Sequence, residues 1–153
     1  PVFAVPLRNS ALAYARLADP SGLPEKRAAA LRRIFKAMAA NPDMVAGPQR
    51  FDTLVMRVAG GSVVAKAGAE GFQGIGLLPG ACGAGSPALG ICFKIADGDQ
   101  GQRARQITGV EVLRQLKALD ARQLSEMAEF DARPQYNWRH FEVGRFEPVF
   151  KLA

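Results

Sequence analysis

The residues of this chain that could do chemistry centre on one lysine at the end of a predicted strand. Lys66 follows the apolar run 63–65 and is followed at once by Gly68 and Gly71. Glycines allow backbone to approach a ligand closely, and burial readily lowers the pKa of a lysine. Lys66 could therefore serve as a general base or an electrostatic anchor. The alternative is a lysine at a strand edge that points to water.

The other groups that a hydrolase needs are not evident in the sequence. Penicillin-recognising enzymes combine S-x-x-K on a helix with K-T-G on a strand, whereas this chain has one K-x-G, at 66–68, and none of its serines begins an S-x-x-K. The single histidine, His140, is interpreted as structural or solvated, which leaves no complete Ser-His-Asp triad. Cys82 and Cys92 lack metal-site spacing and are interpreted as reduced thiols. There is no P-loop, GxGxxG fingerprint or HExxH.

Composition favours one globular domain with a hydrophobic core. The 153 residues are 48% hydrophobic and 22% charged, and no apolar run approaches the ~20 residues of a membrane span. No signal-peptide pattern opens the chain, so we expect a cytoplasmic protein. The chain begins with Pro1 rather than Met, and we therefore expect a segment to be missing upstream.

A net charge of +6 could suit an anionic partner. The densest basic clusters are Lys26-Arg27 with Arg32-Arg33, and Arg103-Arg105. All of them fall on helical patterns without the interleaved aromatic residues of a single-strand binding groove. They predict solvated helix faces, and we expect no nucleic-acid partner.

The pattern of elements predicts an α+β fold, in which an antiparallel sheet packs with helices. Predicted helices cover 10–17, 24–38, 51–58, 102–119 and 121–130. Predicted strands cover 62–67, 71–78 and 88–96, with a last strand in 141–152. The first three strands are joined by turns at 68–70 and 79–87, which predicts an antiparallel meander.

Six short pieces, in order, give the chain a family resemblance. They are 1–7 (PVFAVPL), 44–47 (MVAG), 50–53 (RFDT), 65–71 (AKAGAEG), 88–91 with 94–99 (ALGI, KIADGD) and 149–152 (VFKL). Together they resemble the C-terminal half of the bacterial asparaginase II family, the rhizobial-type L-asparaginases.

The resemblance implies an amidohydrolase that converts L-asparagine to L-aspartate and ammonia, on a fold like the serine β-lactamases and glutaminases. In that family the lysine matching Lys66 belongs to one of two serine-lysine pairs. The serines and the second lysine lie in an N-terminal half, with a segment of the S-C-S-G-K-H type. Residues 1–153 would then be the C-terminal portion of a single domain and inactive alone, with the N-terminal half as a partner. A homodimer is also expected.

The resemblance points to Asp52 and Arg50 as substrate-binding residues beside the catalytic Lys66. Some relatives carry a cysteine at the position of Asp52, near the substrate; an aspartate there could hold a substrate ammonium, or cap or salt-bridge locally. Glu70 is either a turn carboxylate or a polar member of the site. Some relatives bind zinc through cysteines and a lysine, but one of those cysteines would fall just before Pro1. We therefore expect no metal ligand and no cofactor in this chain, with zinc possible through residues outside it.

Three other readings remain open from the sequence. The first is a remnant or homologue that binds a small amino acid without turnover. The second is a basic module associated with nucleic acid. The third is catalysis by the secondary amine of Pro1, which needs a β-α-β start, whereas Pro6 shortens any first strand.

Overall fold

The computed structural model describes residues 3–152. It has the predicted α+β architecture, with a three-stranded antiparallel sheet of order β1-β2-β3. The Pro1 hypothesis, and the first two residues of the N-terminal motif, lie outside the described residues.

The elements follow the sequence prediction closely in the first two thirds of the chain. The helices are α1 Leu7–Ala18, α2 Glu25–Ala40, α3 Pro42–Ala46, α4 Phe51–Val58, α5 Arg105–Gln115 and α6 Ala121–Glu126, with a 3-10 turn at Ala128–Phe130. The strands are β1 Val63–Ala67, β2 Phe72–Leu77, β3 Leu89–Lys94, β4 Arg133–Tyr136 and β5 Glu142–Phe146.

Two predicted bounds are wrong for identifiable reasons. The helix expected from 102 begins at Arg105, because Asp99 accepts hydrogen bonds from the first backbone N–H groups of α5. The last strand expected over 141–152 is confined to β5, which pairs with β4 in a separate two-stranded sheet. The sequence prediction missed β4 and the short helix α3, and it extended α5 to 119 although the helix ends at Gln115.

Alternation along β1 divides the core between the two faces of the sheet. On one face, β1 and β2 pack against α4, α5 and the chain after α6; the buried side chains there include Phe51, Val55, Val63, Ala65, Ile75, Leu77, Val110, Leu113 and Met127. On the other face, Val64 packs with Ala18, Phe35 and Met56. Helix α4 contributes to both clusters and therefore lies along β1.

Glycines in the strands let α1 lie directly on the second face. A Cβ at Gly90 would lie 1.8 Å from the carbonyl oxygen of Ala11, and a Cβ at Gly74 would lie 2.2 Å from the ring of Tyr14. Side chains at these positions would hold the helix away from the sheet. Because Gly74 is the register partner of Lys66, this packing places the phenol of Tyr14 beside the lysine's strand position.

Candidate functional site

Three separated sequence motifs meet at a small pocket beneath the β1–β2 turn, which we term the turn pocket. Arg50 comes from the RFDT piece, residues 67–71 from the AKAGAEG piece, and residues 98–99 from the KIADGD piece. The pocket encloses about 200 Å³ and is lined by Arg50, Ala67, Gly68, Glu70, Gly71, Gly98, Asp99, Gln102 and Arg105.

The turn has this shape because its last two residues adopt left-handed backbone conformations. Glu70 has φ 56° and Gly71 has φ 67°. A Cβ at Gly71 would lie 2.9 Å from the side chain of Ile95 and 3.2 Å from that of Asp99, so glycine allows the loop before α5 to close over the turn. The loop carries Gly98, where a Cβ would lie 2.8 Å from Oε2 of Glu70. The Glu70 carboxylate therefore lies close to Gly98, and both residues line the turn pocket.

A chain of buried polar groups leads inward from Arg105 at the turn pocket, and we term it the polar relay. Arg105 donates through its guanidinium to Oε1 of Gln73. Gln73 donates from Nε2 to Oδ1 of Asp52 at 2.9 Å, and the N–H of Ala67 donates to Oδ2 of Asp52 at 2.6 Å. The exposed fractions are 5% for Arg105, 0% for Gln73 and 2% for Asp52. The relay therefore anchors the end of β1 to α4 and α5.

The interpretation of Arg103-Arg105 as a solvated helix face is wrong for Arg105. Arg103 is exposed and forms an ion pair with Asp97 at 2.5 Å, but Arg105 points into the protein. Burial lowers the pKa of Arg105 from its ordinary value, while the charges of Asp52 and Asp99 oppose that shift. Helical periodicity could not reveal this, because α5 is packed on the sheet along most of its length.

Asp52 has both carboxylate oxygens engaged within the protein. Its two partners, Ala67 and Gln73, are 15 and 21 residues away along the chain, so these contacts are tertiary and neither a local cap nor a salt bridge. Arg50, by contrast, is exposed and lines the turn pocket. Glu70 is also exposed and lines the same pocket.

Lys66 lies on the opposite face of the sheet from the turn pocket. Its side chain is exposed, and Nζ donates to the carbonyl oxygen of Ala67 at 2.8 Å. The partial burial expected for Lys66 is not provided by residues 3–152. The lysine and the turn pocket are joined only through the backbone of Ala67.

An apolar groove of about 540 Å³ adjoins Lys66 between α1 and α2. Its lining residues are Ala13, Tyr14, Leu17, Leu31, Ile34, Met38, Val45 and Lys66. Burial, with smaller effects from Cys92 and Asp52, raises the pKa of Tyr14 to about 12. The phenol stays protonated at neutral pH, and its hydroxyl lies close to Gly74 of the sheet.

Other candidate groups lie apart from these two sites. Cys82 and Cys92 are free thiols, and burial raises the pKa of Cys92 to about 11. His140 is exposed, as the sequence interpretation allowed. Within residues 3–152, no three or more His, Cys, Asp or Glu side chains are grouped so that they could hold a metal ion, and no helix is long and apolar enough to cross a membrane.

Sequence reasoning missed Gln73 and Arg105, which complete the polar relay. Gln73 did carry a signal, because it is a lone polar residue in the otherwise apolar strand β2 and lies opposite Ala67 in the register. A polar residue in a buried strand requires a hydrogen-bonding partner.

Comparison with known proteins gives one family. A family model described as L-asparaginase II matches residues 1–148. No curated protein matches the chain.

Proposed function

The chain belongs to the L-asparaginase II family, and from that premise we propose that the protein hydrolyses the side-chain amide of L-asparagine to L-aspartate and ammonia. The observation that carries the proposal is the meeting of three family-like motifs at one pocket. That pocket adjoins, through Ala67, the lysine that the resemblance assigns to catalysis.

In the proposed reaction, the amine of Lys66 accepts the proton of a serine hydroxyl as the serine oxygen attacks the amide carbon. The C–N bond then breaks, and the leaving nitrogen takes that proton back from Lys66 to depart as ammonia. Water hydrolyses the resulting ester to give L-aspartate and the free serine. The hydrogen bond from Nζ to the carbonyl of Ala67 fixes the lysine at the strand end.

We propose that the serine belongs to an N-terminal half of the same protein, on a fold of the β-lactamase type, with residues 1–153 as its C-terminal portion. Two surfaces support such a partner. The apolar groove beside Lys66 leaves Ile34 48% exposed. Strand β3, moreover, pairs only with β2 among the described residues, so its outer edge is free to pair. A segment seated in the groove would also bury Lys66.

Family membership further supports a cytoplasmic homodimer. Any zinc would be held by residues outside 1–153. Neither nucleic acid nor a membrane is needed as a partner in the proposed reaction.

The test is ammonia release from L-asparagine by the complete gene product and by Lys66→Met. Methionine keeps the length and apolar stem but removes the proton acceptor, so we expect a rate loss of roughly 10²–10⁴-fold. Lys94→Met is the matched control, because Lys94 is also an exposed lysine at a strand end and also lies near a backbone carbonyl, that of Ala69 at 3.5 Å. It should leave turnover unchanged within about twofold.

Equal turnover of wild type and Lys66→Met would remove the catalytic role. The isolated 153-residue chain should release no ammonia, since it has no S-x-x-K serine. Turnover by this chain alone would contradict the proposed need for an N-terminal half.

A second candidate is an amino-acid-binding homologue without turnover. It is favoured by the turn pocket, whose charged walls are formed within residues 3–152, whereas Lys66 remains exposed. Binding of L-asparagine without any ammonia release by the complete gene product would support this alternative.

A further inference from the structure

We propose that the turn pocket binds the zwitterionic end of an α-amino acid, with Arg105 and Arg50 holding its carboxylate and Glu70 its ammonium. The inference rests on the proposed function, because the ligand class proposed there is an amino acid, and it locates a site for the main-chain groups of such a ligand. It also assigns a binding role to Arg105, which appeared from the sequence to be a surface residue.

The first support is the incomplete hydrogen bonding of Arg105. Its guanidinium has five N–H donors, but within residues 3–152 its only hydrogen bond goes to Oε1 of Gln73. Arg105 is 5% exposed, and no fully enclosed side-chain nitrogen or oxygen among the described residues lacks a partner. The unused donors therefore open into the turn pocket, which Arg105 lines. A buried cation with free donors facing a cavity favours an anionic ligand.

The second support is the arrangement of charge around the pocket. Burial is the main cause that lowers the pKa of Arg105; Asp52 and Asp99 oppose it, and Arg50 adds a smaller lowering effect. Arg50 and Arg105 line the same pocket, and an anion bound between their guanidinium groups would reduce their mutual repulsion. Guanidinium groups bind carboxylates through paired N–H donors, which gives such a pair geometric selectivity.

Glu70 supplies the pocket with a carboxylate that has no ion pair or hydrogen bond within residues 3–152. Asp99 also lines the pocket, but its oxygens accept the N–H groups of Ala104 at 2.7 Å and Arg105 at 3.1 Å. Glu70 is therefore the lining carboxylate that is available to a ligand's ammonium. A simple anion such as phosphate would be repelled by Glu70. A zwitterion can instead pair its carboxylate with the arginines and its ammonium with Glu70.

The size of the pocket agrees with a small ligand. About 200 Å³ is below the roughly 300–1,000 Å³ of pockets for drug-sized molecules. Ala67 forms part of its wall and also accepts the hydrogen bond from Lys66, so the pocket and the lysine meet at one residue. Lys66 itself projects on the other face of the sheet, so the pocket and the lysine are linked through the backbone of Ala67.

The experiment is calorimetric titration of the complete gene product with L-aspartate, which contains the zwitterion but no side-chain amide to hydrolyse. Two analogues report on the two kinds of charged group. L-isoasparagine replaces the α-carboxylate by an amide, and succinate lacks the α-ammonium. We expect each analogue to bind about 10–100-fold more weakly than L-aspartate, because each leaves a charged group of the pocket without its partner.

Variants then assign the contacts. Arg105→Gln should weaken L-aspartate binding by about 10–100-fold, and isoasparagine should then bind no worse than L-aspartate, because the group that recognises the carboxylate has gone. Glu70→Gln should abolish the discrimination against succinate. Arg103→Gln is the matched control: Arg103 is two residues away and exposed, and its removal should leave the dissociation constant unchanged.

Several outcomes would contradict the proposed site. These are an undiminished preference for L-aspartate over isoasparagine in Arg105→Gln, equal binding of both by wild type, or no L-aspartate binding at all. If Arg105→Gln does not fold, Arg105→Lys keeps the charge but loses the planar fork, and wild-type affinity in that variant would equally contradict the proposal. The analogue comparison on wild type needs no variant.

The same measurements separate this site from the proposed catalysis. If the protein binds L-aspartate in this pattern but releases no ammonia from L-asparagine, the zwitterion site is supported and the catalytic proposal is contradicted. If Arg105→Gln hydrolyses L-asparagine with an unchanged KM, the catalytic proposal is supported and the zwitterion site is contradicted.

Discussion

Replacing Asp52 by asparagine tests whether the polar relay holds the end of β1. Asp52 accepts two hydrogen bonds, from the N–H of Ala67 at 2.6 Å and from Nε2 of Gln73 at 2.9 Å, while Arg105 donates to the other end of Gln73. An asparagine has one acceptor oxygen where the aspartate has two. If that oxygen keeps the Ala67 bond, the new NH₂ group faces the NH₂ group of Gln73.

Rotation of the Gln73 amide cannot repair this conflict. The rotated amide would accept from the new asparagine but would turn its own NH₂ group towards Arg105. In either arrangement one buried donor loses its acceptor, which costs about 1–3 kcal/mol, and the bond to Ala67 loses its charge assistance. We therefore expect Asp52→Asn to lower the free energy of unfolding by about 2–4 kcal/mol.

Urea denaturation at neutral pH measures this loss, provided that the m-value stays unchanged. Asp43→Asn is the matched control, because Asp43 forms an ion pair with Arg57 in which both side chains are about half exposed. Such pairs contribute about 0–1 kcal/mol. Amide exchange at Ala67 should accelerate only in Asp52→Asn. Equal, small losses in both variants would refute the structural role of the relay.

Three further outcomes are expected. In urea titration, Gly90→Ala should lower the free energy of unfolding by about 1–3 kcal/mol or more, because the new Cβ would lie 1.8 Å from the Ala11 oxygen. Gly144→Ala is the control and should not destabilise the fold, because the nearest atom to its new Cβ is 3.9 Å away. At pH 8 Cys92 should be alkylated about two orders of magnitude more slowly than in the urea-unfolded chain, because a thiol with a pKa of about 11 is only about 0.1% thiolate; equal rates by peptide mass mapping would contradict its burial. The isolated chain should self-associate through its exposed apolar groove, whereas a tight monomer by light scattering, without dye binding, would show that the groove needs no cover.

The sequence predicted the sheet because its information there is local. The strands β1 to β3 are apolar runs punctuated by glycine turns, and each strand lies within its predicted span. The hairpin β4–β5 was missed because β4, RPQY, is short and polar and contains proline, so its pairing with β5 leaves little trace in hydropathy. The alternating pattern in 141–152 does correspond to a strand, but the prediction extended that strand beyond Phe146, where β5 ends.

The candidate site residues also differ in whether their signal is local in the sequence. Lys66 and Arg50 stand out by type and position, and both border a cavity. Arg105 gave no comparable signal, because its burial depends on how α5 packs against β2. Asp52 was recognised as a candidate, but its partners are 15 and 21 residues away along the chain. Contacts over that separation are set by the tertiary fold and not by spacing.

The two faces of the sheet impose a constraint on any chemistry at this site. Neighbouring side chains on a strand point to opposite faces, so Lys66 projects beside the apolar groove while Ala67 faces the turn pocket. Both faces are therefore linked by one residue, Ala67, whose N–H donates to Asp52 and whose carbonyl accepts the hydrogen bond from Nζ of Lys66. Because the relay holds that residue through groups buried on the pocket side, a change in Gln73 or Arg105 reaches the lysine only by shifting the backbone of Ala67. Groups on the pocket face of the sheet thus influence the position of Lys66, although its side chain lies on the other face.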